Sequence, residues 1–431
     1  MSRTTNFIVC LMIVFFAMNT YAQQTSIFSD KNSVFAKHHV GFALYDLQKD
    51  TMLLTYQESQ NFVAASNTKL FTFYASLKAL GDSIPSFMYE VRNDSLIVWG
   101  TGDPSFLNPV FSSKKSYHFL MGHQGKVFFS PANFSGTFYG KGWSWDDYND
   151  DYMAEISPFP IYGNLAQFAF KTPNKLSVMP SFFADKTSLI EGGEKFEIIR
   201  QLEQNLFGIP KSPIPPARFS QWIPFKTSPI LTAKLLSDTL HREVQLLDAP
   251  LSTKAKKFYA TSGDSLYKQM LFQSDNFVAE QLMLMLANDS LGVLNVSKGI
   301  EQAQKAYLTD LPDTPRWVDG SGLSRYNLAT PRTLISVLKK LYQLVPEERL
   351  FKLLPAAGQS GTIKKLVPAT NHPYIFAKSG SMGGIYNLSG YLITRSGKRL
   401  AFSFMNNNVS EPLSSIRKAI AAFLINVSHE Y

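Results

Sequence analysis

The chain of 431 residues contains one cysteine, Cys10, so neither a disulfide framework nor a cysteine-based zinc site can be built from it. Its seven histidines include no His-Glu-x-x-His, and the adjacent His38 and His39 would point to opposite sides of a strand. A metallopeptidase is therefore not expected, and neither is a metal or other cofactor. No glycine-rich phosphate loop and no internal repeat is present. Lys plus Arg exceed Asp plus Glu by 42 to 33, yet no five basic residues are consecutive. That argues against a nucleic-acid partner and leaves a mild attraction to anionic polymers, cell-wall material among them. No stretch reaches the roughly 18 continuous apolar residues of a membrane span. What remains is a globular balance, 45% hydrophobic and 17% charged, ample for a core.

Residues 1–22 are expected to form a signal peptide. Arg3 supplies the positive start, residues 7–18 an apolar stretch too short to span a bilayer, and Thr20-Tyr21-Ala22 a small-residue cleavage site before Gln23. Val9 stands before Cys10 where a lipoprotein signal needs a small residue. A cysteine-free exported chain fits the periplasm or another extracytoplasmic part of a bacterial envelope. No stable membrane insertion is expected once the signal is removed.

Residues 39–54 read as a β-hairpin turning at Gln48-Lys49-Asp50. Residues 66–80 carry Leu70, Tyr74, Leu77 and Leu80 at helical spacing, and Gly81 closes that helix. From residue 87 to 255 the texture changes to short β-like pieces (95–98, 127–129, 168–170) between turns, with Pro210, Pro213, Pro215, Pro216, Pro224 and Pro229 crowded together. This predicts a strand-and-loop region. Helices return after Asp264, read as an N-cap, and run to about residue 354, one of them started by Thr330-Pro331. Strands over 374–378, 386–394 and 399–405 and an amphipathic helix over 414–427, packed on the sheet, end the chain. A sheet built from both ends of the chain and flanked by helices accounts for this order and makes the fold α+β.

Three short segments can carry chemistry. Ser66-Asn67-Thr68-Lys69 puts a hydroxyl and an amine on one face at the start of a helix, whose positive end favours an oxyanion. An amine acts as a base only when burial or a nearby cation lowers its pKa. Taken alone the pattern is weak, because Ser112, Ser265, Ser336 and Ser415 also have a lysine three residues on. Ser274-Asp275-Asn276 sets a serine and an amide two apart on an inter-helix loop, where the serine could relay a proton and the amide hold a peptide group. Its plain alternative is that Ser274 or Asn276 caps the next helix. Lys378-Ser379-Gly380-Ser381 offers a fixed charge, two hydroxyls able to bind a carboxylate, and a glycine that lets a substrate backbone approach the strand. Together, and in this order, they match the Ser-x-x-Lys, Ser-Asp-Asn and Lys-Thr-Gly set of penicillin-binding proteins and class A β-lactamases.

The chain resembles the D-alanyl-D-alanine carboxypeptidase/endopeptidases of the class C low-molecular-mass penicillin-binding proteins over nearly all its length beyond the signal. The resemblance rests on residues 65–70, 274–280, 319–325 (Asp-Gly-Ser-Gly-Leu-Ser-Arg), 357–362 and 378–381. It implies a β-lactamase/transpeptidase-like domain, an antiparallel sheet flanked by helices, formed by residues 23–85 and 256–431. About 205 residues separate Lys69 from Ser274, far more than a crossover needs, so a β-rich domain over residues 86–255, single or as two nested units, is expected between the motifs. Two departures are visible. The usual Lys-Thr-Gly-Thr reads Lys-Ser-Gly-Ser, which keeps both hydroxyls, and the insert matches only in patches, chiefly residues 142–147.

The resemblance also implies acyl transfer on peptidoglycan stem peptides, with β-lactams entering the same route. Ser66 is then the nucleophile, Lys69 the base, and Ser274 the proton relay to the leaving amine, assisted by Lys378. The amides of Ser66 and Ser381 are candidates for an oxyanion hole. Lys378, Ser379 and Ser381 would hold the terminal carboxylate beside Gly380, and Asn276 a substrate amide. Asp147 and Arg325 would lie near the diaminopimelate end of the stem. Two other functions fit the scaffold. A β-lactamase needs a deacylating base, and no glutamate can be assigned to it. A non-catalytic wall-binding protein would have no use for three intact motifs. The oligomeric state stays open.

Overall fold

The structure, a computed structural model, describes residues 27, 28, 30–172 and 175–431. The expected signal peptide, residues 1–22, lies outside the described residues. Among those described, no helix is long and apolar enough to cross a membrane.

The two ends of the chain build one five-stranded antiparallel sheet. Its strands run in the spatial order Ile375–Met382, Ile385–Ile393, Arg399–Asn407, His39–Asp46 and Thr51–Tyr56. The register pairs His39 with Asn407 and Asp46 with Leu400, so the first strand is locked against the last. Both faces of this sheet are covered. Phe42, Leu44, Phe402 and Phe404 point toward the C-terminal helix Leu413–Glu430, where they pack on Ile416, Ile420, Phe423 and Leu424. Their neighbours Ala43, Tyr45, Ala401 and Met405 point the other way, into a core made by the helices Lys69–Ala79, Gly263–Phe272, Asn276–Leu291 and Pro331–Leu344. Such two-sided burial follows from the period-2 alternation of side chains along a strand.

Asn276–Leu291 is the innermost helix. Residues 277–287 are buried without interruption, Glu280 and Gln281 included, so it has no polar face. Its polar residues must find partners inside the protein. Gln281 donates to the carbonyls of Gly102 and Ser157 and accepts from the Ser157 amide, tying the helix to the inserted segment.

That segment forms a second five-stranded sheet in which Ser83–Arg92 pairs antiparallel with Lys256–Ser262, so the outgoing and returning strands are neighbours. Two three-stranded sheets, the first of 187–190, 199–200 and 207–210 and the second of 165–172, 175–179 and 220–224, complete it. The α+β architecture with a β-rich insert between the motifs is the one expected, with two corrections of detail. The strand-and-loop region also holds the helices Lys115–Gly122 and Pro229–Leu240. The second begins as Thr330-Pro331 does, with a hydroxyl cap (Ser228 accepting from the Leu231 amide) and proline at the first helical position. The helix after residue 262 is capped by Ser262, which accepts from the Ser265 amide, and Asp264 sits in its first turn.

Candidate active site

The helix Lys69–Ala79 is entered through a tight turn, Ala65–Thr68. Ala65 holds φ at +46°, a left-handed conformation costly for a residue with a Cβ, and such strain persists only where the surroundings enforce it. Gly322 does so here: a Cβ on it would lie 1.8 Å from the Ala65 carbonyl oxygen, so only glycine allows the two loops to touch. The turn leaves Ser66 half-buried and puts Lys69 one helical turn further on, fully buried.

Lys69 Nζ has three partners: Ser66 Oγ at 3.0 Å, Asn276 Oδ1 at 2.7 Å and the Ser321 carbonyl oxygen at 2.7 Å. Burial lowers its pKa to about 8, against the opposing pull of Asp319, Glu280 and Asp275. At that value a useful fraction of the amine is neutral near neutral pH. A neutral amine has two N–H bonds and one lone pair; the two carbonyl oxygens take the N–H bonds, and the lone pair faces Ser66.

Ser274-Asp275-Asn276 joins two helices. The residue that caps the second is Asp275, accepting from the Val278 amide, and neither Ser274 nor Asn276 has that task. Both side chains are therefore free to serve the cleft, and Ser274, at φ +59°, accepts from Lys378 Nζ at 2.9 Å. Lys378 is fully buried in the strand Ile375–Met382 and also donates to the Ser379 carbonyl at 2.6 Å. Burial, with the nearby charge of Lys69, drives its pKa well below the usual lysine range.

Gly380 has a different reason from the one its motif suggests. A Cβ there would sit 2.9 Å from the Ala64 carbonyl oxygen, from Asn67 Oδ1 and from the Ser66 amide nitrogen. The close approach is that of the protein's own Ser66 turn to the strand. Gly380→Ala is accordingly expected to cost about 1–3 kcal/mol by forcing turn and strand apart and to slow Ser66 acylation with it. Thermal unfolding measured beside acylation rate checks both.

One cleft of about 540 Å³ is lined by Ser66, Asp147, Ser274, Asn276, Arg325 and Ser381, among others. Ser379 is not among the residues that line it, and its hydroxyl is 2.7 Å from Thr362 Oγ1. Asp147 and Arg325 make no ion pair with a described residue; Arg325 reaches only the Gly383 carbonyl, at 3.3 Å. Among the described residues, no three His, Cys, Asp or Glu side chains are grouped to hold a metal.

Motif reading missed the buried carboxylates behind Lys69. Glu280 accepts from the amides of Gly320 (3.0 Å) and Ser321 (2.7 Å), which aims the Ser321 carbonyl at the amine. Asp319 accepts from the Gly322 and Ser324 amides, Asn327 Nδ2 and Trp143 Nε1, at 2.6–2.9 Å. Burial, then the Asp319 charge, raises the Glu280 pKa to about 8. Both residues fall inside the stretches 274–280 and 319–325, but nothing in either stretch states that they meet. Trp143 shows what the 142–147 patch does: its indole donates to Asp319 and ties that patch to the loop 319–324 behind Lys69.

Comparison with known proteins agrees with this architecture. D-alanyl-D-alanine carboxypeptidase DacB of Haemophilus influenzae is 25% identical over 432 residues, 88% of this chain and 88% of that protein. The crystal structure of penicillin binding protein 4 from Haemophilus influenzae superposes with a TM-score of 0.74 at 20% identity, covering 94% of this chain and 99% of that one. The same protein complexed with a β-lactam gives 0.66 at 21% identity, over 94% and 98%. A model of the D-Ala-D-Ala carboxypeptidase 3 (S13) family matches residues 25–187 and 229–427, breaking only within the β-rich insert. With both halves of the main sheet and all three motifs inside the match, the chain belongs to the D-Ala-D-Ala carboxypeptidase 3 (S13) family.

Proposed function

We propose that the protein is a serine-type D-Ala-D-Ala carboxypeptidase, and a D,D-endopeptidase on cross-linked stems, working through an acyl-enzyme on Ser66. The carrying observation is the Lys69 amine, 3.0 Å from Ser66 Oγ with its other two positions taken by carbonyl oxygens. Ser66 Oγ attacks the carbonyl carbon of the penultimate D-alanine while Lys69 takes its proton. Charge on the carbonyl oxygen is met by the amides of Ser66 and Ser381. The C–N bond then breaks. Because Lys378 donates to Ser274 Oγ, the Ser274 hydroxyl hydrogen is free to pass to the leaving nitrogen, and the proton that Lys69 took from Ser66 replaces it, which returns Lys69 to its neutral form. Water, deprotonated by Lys69, hydrolyses the ester.

In this reading Lys378 and Ser381 bind the terminal carboxylate, Ser379 joins them by giving up its contact with Thr362, and Asn276 binds a substrate amide. Asp147 and Arg325, opposite charges on one cleft with no ion partner among the described residues, take the zwitterionic end of a diaminopimelate side chain. Residues 86–255 act as an inserted domain. Work on peptidoglycan places the protein in the periplasm or envelope, exported by residues 1–22.

The test is to incubate the protein with labelled penicillin and with a stem pentapeptide. One equivalent of label on the Ser66 peptide, with D-alanine released, is the expected result. Nitrocefin should be consumed to one equivalent and then stop. Continued turnover would mark a β-lactamase, and binding without D-alanine release a non-catalytic wall protein.

A further inference from the structure

We propose that the cleft around Ser66 continues past Ser274 into two further cavities, and that this groove receives the acidic peptide strand released when a cross-link is cut. The inference rests on acyl transfer at Ser66 and adds where the leaving strand lies. The second cavity, about 390 Å³, shares Tyr152, Ser274 and Asn276 with the catalytic cleft. Two of these shared residues meet at the junction, Asn276 Nδ2 lying 3.4 Å from the Tyr152 carbonyl oxygen. The third, about 680 Å³, shares Val110, Gln269 and Gln273 with the second.

The junction decides what the groove is for. Asp147 and Arg325 line the first cleft and not the second, so they serve the strand that stays on the enzyme, while Ser381 holds the carboxylate of the leaving residue beside the scissile bond. Ser274, whose hydroxyl faces the leaving nitrogen, lines both. Whatever is attached to that nitrogen must extend beyond Ser274. A lone D-alanine has no use for two more cavities, whereas the amine of a cross-linked stem carries a second peptide.

Charge follows the same order. Asp151 and Asp275 line the second cavity, near the point where the freed nitrogen becomes an ammonium. Tyr162, Trp222 and Phe277 give that cavity apolar walls. The third is lined by Lys114, Lys115 and Lys268 and by no carboxylate. All three lysines are exposed, and none is ion-paired with a described residue, which suits the carboxylates further along a stem peptide. Tyr162 and Ser274 also hold left-handed φ values of 56° and 59°, a cost that bulky and polar residues bear where a site is shaped.

The experiment compares a purified cross-linked muropeptide dimer with a monomeric stem pentapeptide. In the triple variant Lys114→Glu/Lys115→Glu/Lys268→Glu, kcat/KM on the dimer should fall about tenfold, chiefly through KM, the sum of three weak screened contacts reversed. The pentapeptide reaction, confined to a cleft none of these lysines lines, should change less than about twofold. Wild-type cleavage of the dimer should also lose more to added salt than D-alanine release does. Trp222→Ala, which leaves the charges alone, should weaken the dimer reaction selectively as well. Parallel losses on both substrates, or no loss on the dimer, would overturn the groove. A wild type that releases D-alanine but leaves the dimer whole would sink it too while sparing the carboxypeptidase, and failure of penicillin to acylate Ser66 would end both.

Discussion

Lys69→Met should acylate with penicillin about 10³-fold more slowly than the wild type, a loss within the range of a positioned general base, and approach the inert Ser66→Ala. Methionine fills the buried volume but offers Ser66 no lone pair. Lys69→Arg separates base from charge, because a guanidinium keeps its proton however deeply it is buried. It should be nearly as slow as the methionine variant. The pH profile carries the same information. Burial lowers the Lys69 pKa to about 8, so the neutral, reactive form grows as pH rises toward that value. Acylation should therefore climb about tenfold per unit at acid pH and level off above about 8. Stopped-flow measurement with a fluorescent penicillin reads both the rate and the limb. An arginine variant that acylates at the wild-type rate would remove the base from the mechanism.

What could be seen in the sequence was what is local. Ser66 and Lys69 are three apart on one turn, so their meeting follows from helix geometry alone, and Lys378-Ser379-Gly380 is one run of strand. Thr330-Pro331 and residues 399–405 were legible for the same reason. The second set of relations is non-local. Glu280 reaches amides 40 and 41 residues away, and Trp143 reaches Asp319 across 176. No spacing rule connects them, and a buried carboxylate looks in sequence like a surface one. Gly380 was readable as a place of close approach, but what approaches it is the Ser66 turn, which only the packing of strand on turn reveals. Pro229 was taken with its neighbours as a mark of loops, although Ser228-Pro229 carries the start signal that was recognised at Thr330-Pro331. Composition over a window overrode a specific pair.

Asp319→Asn should cost the folded state about 3–5 kcal/mol, the range for breaking a buried charged network on one side. The carboxylate accepts four hydrogen bonds, two on each oxygen. Whichever oxygen becomes an NH₂ group, it confronts two N–H donors that then have no acceptor. The loop 319–324 loosens, the Ser321 carbonyl loses its aim at Lys69, and acylation should fall in protein that is still folded. Trp143→Phe removes one donor and leaves the carboxylate three, so about 1 kcal/mol is expected. The double variant should lose less than the sum, because both changes break the same bond. The pH dependence adds an independent check. Glu280 is held above the usual carboxyl range by burial and then by the Asp319 charge, so the folded state keeps a proton that the unfolded chain has released. That contribution to stability is fully present below the ordinary carboxyl pKa and is lost as pH rises toward about 8, by at most about 1.4 kcal/mol per unit. Removing the Asp319 charge lowers the Glu280 pKa, so the slope of unfolding free energy between pH 5 and 8 should be shallower in Asp319→Asn. Urea unfolding across that range measures it, and a variant with native stability and an unchanged slope would show that the two carboxylates do not act on each other.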